Sequence, residues 1–60
     1  MEIKMKNASN AMRAKQLLFK RGIRTYVSKK TGNNGCYYYI ILFEKDYESA
    51  EEILRKEGLL

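Results

Sequence analysis

The alternation of polar and apolar positions along this chain predicts three strands. Residues 2–6 alternate strictly between charged and apolar side chains, which is typical of a half-buried strand at a sheet edge. Residues 23–28 are rich in β-branched and aromatic side chains and predict a second strand. Residues 36–43 are apolar at both parities, which favours a central strand. Residues 29–35, with two glycines and two asparagines, predict the turn between the last two strands.

A helix is predicted between the first two strands. Residues 8–21 carry apolar side chains at spacings of three and four, at Ala11, Ala14 and Leu18. Asn7 or Ser9 is suited to cap the first turn, because its side chain can accept a bond from a free amide. Gly22 fits the left-handed position that ends many helices.

A second helix is predicted after the third strand. Asp46 is a suitable N-cap, and Glu48 favours the first turn of a helix. The apolar positions that share one face are Tyr47, Ala50 and Leu54. Gly58 is expected to end the helix, and Leu59 or Leu60 to fold back onto its last turn.

The element order β-α-β-β-α restricts the topology. A right-handed crossover through the first helix makes strands one and two parallel, and the tight connection makes strand three antiparallel to strand two. Placing the most apolar strand at the centre gives the spatial order one, three, two. We therefore expect one α+β domain over residues 1–60, a two-layer sandwich with both helices on one face. Such a sandwich is a truncated ferredoxin-like fold that lacks the final strand.

Size and composition exclude several classes of protein. A chain of 60 residues buries a small core, so its stability is expected to be marginal and self-association would help. The hydrophobic fraction of 45% and the charged fraction of 32% are those of a globular domain. The longest apolar run, residues 36–43, is far below the ~20 residues that cross a bilayer. No signal-peptide pattern precedes it, so we expect a cytoplasmic protein without a membrane segment.

The inventory of reactive side chains is small. The chain has no histidine and a single cysteine, which excludes the usual zinc and iron ligand sets and histidine acid–base chemistry. We expect no metal, no cofactor and no activity as a stand-alone enzyme. Six of the seven acidic residues lie in residues 44–57, where they are expected to form a solvated helix face.

Charge is unevenly distributed along the chain. Residues 1–35 contain nine Lys/Arg and one Glu, whereas residues 36–60 contain three Lys/Arg and six Asp/Glu. The net charge of +5 is therefore the difference between a strongly basic half and a weakly acidic one. This asymmetry fits either an anion-binding surface or two halves that attract each other.

Helices on one side of the sheet leave one face of the central strand uncovered. We expect this open face to carry Tyr37, Tyr39, Ile41 and Phe43, with Tyr26 beside them. So much exposed apolar surface implies an interaction, with a second copy in a homodimer or with a regulatory protein partner. Aromatic side chains on a central strand also stack bases in RNA-recognition modules. Nucleic acid is the weaker alternative, because the usual motif and a fourth strand are absent.

The single cysteine stands at the start of the third predicted strand. With a turn from Lys30 to Gly35, Lys29 lies across the hairpin from Cys36, and Lys30 is close by. A nearby ammonium stabilises the thiolate, which is the form that attacks or carries sulfur. Gly32 and Gly35 would let a bulky or anionic group approach the backbone. The alternative is that Cys36 packs as a small hydrophobic residue, as most free cysteines do.

Three stretches of the chain carry a family resemblance: NASNAMRAKQLLFKRGIRTYV, GCYYYIIL and ILRKEGLL. They are similar to a family of small bacterial proteins described as selenium/sulfur carrier-like, with the best match at Ala11-Met12-Arg13-Ala14-Lys15, Leu17-Leu18, Gly22-Ile23 and Gly35-Cys36. The resemblance implies that Cys36 accepts sulfur or selenium from a sulfurtransferase-type donor protein. The family has a Pro-Arg pair in the loop and Gly after the cysteine, whereas this chain has no proline and has Tyr37 there. The helix and Gly-Ile pattern also resembles βαββα domains named as prokaryotic signal-transducing proteins.

Overall fold

A computed structural model describes all 60 residues of the chain, in the predicted element order β-α-β-β-α. The elements are β1 (Glu2–Met5), α1 (Ala8–Lys20), β2 (Thr25–Gly32), β3 (Gly35–Leu42) and α2 (Tyr47–Lys56), with a short 3-10 helix over Glu44–Asp46. Each edge strand pairs antiparallel with β3, in the spatial order β1-β3-β2. The α+β fold and the strand order predicted from the sequence are confirmed. Neither helix has the length and apolar character needed to cross a membrane.

The core lies between one face of the sheet and the two helices. Ile40 is fully buried on the central strand, and the register places Ile3 and Val27 on either side of it. The helices contribute small or branched apolar residues to the same cluster: Ala11, Ala14, Leu18, Ala50 and Leu54. The spacing of three and four that predicted each helix is therefore the spacing of its buried positions.

Both helices end in the same backbone motif. Gly22 and Gly58 have φ angles of 79° and 71°, in the left-handed region that favours glycine. The amide after each glycine bonds back to the last helical turn at 2.9 Å, Ile23 to Leu18 and Leu59 to Leu54. Ile23 and Leu59 are buried as a result, so each helix end also adds an apolar side chain to the core.

The two helices begin differently. The Asn7 Oδ1 accepts a hydrogen bond from the Asn10 amide at 2.8 Å, which confirms the predicted cap of α1. The predicted cap of α2 is wrong, because the Asp46 side chain makes no capping bond. Asp46 instead ends the 3-10 helix, where its amide donates to the Phe43 carbonyl at 3.0 Å. That extra turn leads the backbone directly into α2.

β2 begins and ends later than the sequence predicted. It starts at Thr25 and continues to Gly32, so Lys29 and Lys30 belong to a strand and not to a turn. Only two residues, Asn33 and Asn34, remain in the hairpin loop. Lys29, Lys30 and Thr31 remain in the strand because their backbone groups form hydrogen bonds with those at the start of β3. They are tolerated there because this part of the hairpin extends past the helices and is exposed.

Candidate functional site

The open face of the sheet is the one that the sequence predicted. Ile40 and Leu42 are buried under the helices, so the alternation of β3 places Tyr37, Tyr39 and Ile41 on the opposite face. These three side chains are partly exposed. Two aromatic residues with larger exposed fractions lie beside them. Tyr26 on β2 is 62% exposed, and Phe43, just after β3, is 59% exposed.

Two lysines lie over the tyrosine rings of this open face. The Lys4 Nζ is 4.4 Å from the centroid of the Tyr37 ring, and the Lys30 Nζ is 4.7 Å from that of Tyr39. The register pairs Lys4 with Tyr39 and Lys30 with Tyr37, so each lysine reaches the ring diagonal to its own position. Such cation–π contacts at exposed sites contribute about 0.5–1 kcal/mol each. This arrangement could not be predicted from the sequence, because it depends on the register of the strands.

An ion pair joins the two edge strands across this face. The Lys30 Nζ of β2 lies 3.2 Å from the Glu2 Oε1 of β1. Because β3 separates these strands, the pair bridges the central strand beside Tyr39. Glu2 is the only acidic residue in the three strands. On the open face, Lys4 and Lys30 therefore lie over the two tyrosine rings, and Lys30 is also paired with Glu2.

Two clefts continue the aromatic surface around the β2 edge. One, of about 100 Å³, is lined by Arg24, Tyr26, Ile41 and Phe43 among others. The other, of about 430 Å³, lies between α1 and β2, where Lys15 and Phe19 meet Arg24 and Tyr26. Phe19 is 77% exposed. Phe19 was not predicted as a surface residue from the sequence, although an aromatic residue at a polar position of an amphipathic helix was a usable signal.

Cys36 is exposed, and its surroundings differ from those predicted. Thr31, and not Lys29, lies across the hairpin from it, and the Thr31 Oγ1 is 3.9 Å from the Cys36 Sγ. Lys29 is paired with Tyr38 instead, because the turn is shorter than expected. The Lys30 ammonium is engaged by Glu2. The sulfur is therefore accessible, but the predicted lysine partners lie elsewhere.

The accessibility of Cys36 follows from the length of the hairpin. Cys36 has the parity of Tyr38 and Ile40, the face that the helices cover. It nevertheless remains exposed, because its end of β3 extends beyond them. The predicted loop glycines Gly32 and Gly35 pair with each other at this end, and only Gly35, with a φ of 112°, requires glycine.

Acidic residues lie mainly on the segment after β3. On α2, Glu51 and Glu52 each form an ion pair of 3.2 Å with the basic residue four positions on, Arg55 and Lys56. Hydrogen bonding to Glu51, and the charge of that carboxylate, raise the pKa of the Tyr47 phenol above 10.0. Nowhere do three or more His, Cys, Asp or Glu side chains come together as metal ligands would.

Comparison of the chain with protein-family models, with curated proteins and with solved structures finds no match in any of the three. The resemblance to carrier-like proteins therefore stays a prediction. The open face and Cys36 are the features of the chain that bear on function, because a fold of this class is compatible with many activities.

Proposed function

We propose that this protein is a binding module that presents the open sheet face to a partner, and that it is not a stand-alone enzyme. The observation that carries the proposal is the grouping of Tyr37, Tyr39 and Ile41 on a face that no element of the chain covers. Tyr26 and Phe43 extend this surface at its border. Aromatic residues are enriched in the centres of binding surfaces because they bury much area at a small entropic cost.

The chemistry of the face supports binding more than catalysis. Phenol rings, an aliphatic side chain and lysine ammonium groups offer stacking, apolar contact and charge. Catalysis would need a nucleophile beside a general base, or two carboxylates with separated roles. We further propose that the protein works in the cytoplasm, on the basis of its composition.

A test of this function compares the wild type with Tyr39→Glu, which puts a charge in the middle of the face. Both proteins are immobilised and exposed to a cell extract, and retained proteins and nucleic acids are analysed separately. Sedimentation at several concentrations detects a homodimer. Glu48→Gln on α2 is the control variant, since Glu48 is exposed and lies in a different element. If Tyr39→Glu retains the same molecules and self-associates as the wild type does, the open face is not the binding surface.

A second candidate function is a sulfur or selenium carrier that uses Cys36, and it is favoured by the exposure of that thiol. In this scheme the Cys36 thiolate attacks the terminal sulfur of a persulfide on a donor protein. The donor leaves as a thiolate, and Cys36 keeps the transferred sulfur as a persulfide. The extended hairpin would let a donor protein reach the sulfur without rearrangement of the core.

Alkylation of Cys36 as a function of pH tests the carrier function, with unfolded protein and a free model thiol for comparison. A carrier thiol is expected to react faster than the model thiol at neutral pH, and to gain the mass of one sulfur when mixed with a cysteine desulfurase and cysteine. A Cys36→Ser variant is the control for both measurements. A thiol that is protected in the native state, or that gains no sulfur, would exclude this function.

A further inference from the structure

We propose that the open face binds a single-stranded nucleic acid, with bases stacked on its tyrosine rings and lysine ammonium groups on the phosphates. This proposal rests on the proposed function, because it takes the open face as the binding surface and names the class of partner. The sequence alone favours a protein partner over nucleic acid. The positions of Lys4 and Lys30 change that order, since each cation lies beside a ring that a base could use.

Charge on this face fits an anionic partner better than a second copy of the chain. The strands contribute Lys4, Lys30 and Glu2 to the face, and Arg24 lies at its border. The other six acidic residues all follow β3 in the chain. Two copies packed face to face would bring these cations against each other, and like charges oppose association. A phosphate backbone would be attracted by the same cations.

The aromatic residues have the arrangement that stacking requires. Tyr37 and Tyr39 are two positions apart on one strand, so their Cα atoms are separated by about 6.6 Å and their side chains share a face. Tyr26 lies on the neighbouring strand, where the register pairs it with Ile41. Stacking on such rings tolerates any base, because every base has a flat π face. The face is therefore suited to bind single strands without reading a fixed sequence.

The lysines cover the rings in the free protein and would move when a base arrives. A cation–π contact at an exposed site is weaker than the stacking of a base on the same ring. A lysine side chain is flexible, so Lys4 and Lys30 can leave the rings and reach phosphates through rotation of their own bonds. Glu2 would then lose its partner and would face an anionic strand. Glu2 is thus expected to oppose binding, which gives the proposal a distinctive test.

The border of the face offers a path for a strand longer than two nucleotides. Arg24 and Tyr26 line both the small cleft on the open face and the larger cleft of about 430 Å³ beside α1. Lys15 and Phe19 form the far side of that larger cleft. Cations and aromatic rings therefore continue together around the β2 edge.

Fluorescence anisotropy with a labelled single-stranded RNA of mixed sequence, its DNA counterpart and the matching duplex tests the proposal at two salt concentrations. Single strands are expected to bind more tightly than the duplex, and binding should weaken steeply as salt rises. Tyr39→Leu, which keeps an apolar side chain but removes the ring, is expected to weaken binding roughly tenfold. Circular dichroism and the thermal midpoint establish that each variant is folded.

Two charge variants separate a specific surface from general attraction to a basic protein. Lys4→Gln is expected to weaken binding and to reduce the slope of log affinity against log salt by about one. Lys56→Gln, which makes the same charge change on α2, should leave that slope nearly unchanged. Glu2→Gln is expected to tighten binding roughly two- to fivefold, since it removes a repulsive charge and frees Lys30. Circular dichroism establishes that Glu2→Gln is folded, so that a gain in affinity reports the charge of the open face.

Absence of binding at low salt, equal binding of the duplex, or wild-type affinity in Tyr39→Leu would each overturn the nucleic-acid proposal. Equal effects of Lys4→Gln and Lys56→Gln would overturn it as well. If a protein partner or a dimer is then still lost in Tyr39→Glu, the proposed function stands and only the class of partner is wrong. If neither nucleic acid nor protein depends on Tyr39, both proposals fail.

Discussion

The two faces of β3 lie in different environments. On the covered face Ile40 and Leu42 are buried against the helices, while on the open face Tyr37, Tyr39 and Ile41 stay partly exposed. Apolar burial stabilises the first face. On the second face, the lysine ammonium groups of Lys4 and Lys30 lie over the rings of Tyr37 and Tyr39. In this small domain, one side of the central strand is buried in the core and the other side stays uncovered.

Ile40 and Ile41 give the sharpest comparison, because they are the same residue type at adjacent positions on opposite faces. Ile40→Ala is expected to lower the free energy of unfolding by about 2–5 kcal/mol, since it leaves a cavity in the core. Ile41→Ala is expected to cost about 1 kcal/mol, because Ile41 is already in partial contact with water. Urea denaturation followed by circular dichroism measures both values.

The loss at Ile40 approaches the whole stability expected of a domain this small, about 3–9 kcal/mol. The milder pair Ile40→Val and Ile41→Val keeps the comparison measurable if Ile40→Ala does not fold. Equal losses at the two positions would mean that both faces of β3 are covered, which would contradict the open face.

A substitution of Thr25 on the covered face is expected to raise the free energy of unfolding, whereas Ile40→Ala lowers it. Thr25 faces the core beside Leu42, and its hydroxyl is buried there without a hydrogen-bond partner. Thr25→Val removes this unsatisfied group and keeps the shape, so we expect a gain of about 1 kcal/mol. Thr31→Val, on the same strand and with the same parity but exposed, is the control and should change stability by less than about 0.5 kcal/mol. A loss of stability in Thr25→Val would show that the hydroxyl is satisfied in solution.

The covered face could be predicted from the sequence because burial imposes a period. Ala11, Ala14 and Leu18 repeat at helical spacing, and the apolar residues of β1 alternate. The parity of β3 was predicted by placing the more aliphatic of its two sets of side chains under the helices, and the structure has that parity. Where a side chain must be buried, the local pattern and the fold therefore agree.

The hairpin end could not be predicted in the same way. Lys29, Lys30 and Thr31 are polar on both faces, so no period marks them as a strand, and their pairing is set by the length of β3. The turn predicted from Lys30 to Gly35 was four residues longer than the observed loop of Asn33 and Asn34, and it therefore placed Lys29, and not Thr31, opposite Cys36. The contacts of Lys4 and Lys30 with the tyrosines could not be predicted either, because they depend on the register of both edge strands against β3. The positions of exposed polar side chains depend on the strand register, and a segment that is polar on both faces has no sequence pattern that predicts its register.

The ion pair on the open face is expected to contribute little to the fold. Lys30 and Glu2 have side chains that are 53% and 42% exposed, and such pairs contribute about 0.2–1 kcal/mol. Lys30→Gln is thus expected to lower stability by about 0.5 kcal/mol, with a smaller loss at high salt. A double-mutant cycle with Glu2→Gln measures the coupling between the two side chains. A coupling well above 1 kcal/mol would show that the pair is a structural element, and that Lys30 is not free to leave Tyr39.

The smallest expected effect on stability comes from the ionisation of Tyr47, on the covered side of the sheet. Tyr47 packs against the core from α2, and hydrogen bonding to Glu51 together with the charge of that carboxylate raises its pKa above 10.0. A raised pKa in the folded state means that the protonated phenol stabilises the fold. That contribution is present at pH values below about 10 and is lost as the pH rises through the folded value.

Glu51→Gln is expected to lower the pKa of Tyr47 towards 10.0, because it removes the negative charge that disfavours the phenolate. Glu52→Gln, one position along α2, is the matched control and should leave that pKa in place. A pH titration of the tyrosine ring resonances by NMR, with Tyr47 assigned from Tyr47→Phe, measures both. If the two glutamine variants behave alike, the effect belongs to the general acidity of α2 and not to Glu51. Tyr47 on α2 and the tyrosines on β3 would then differ only in the average charge around them, which is negative near Tyr47 and positive over Tyr37 and Tyr39.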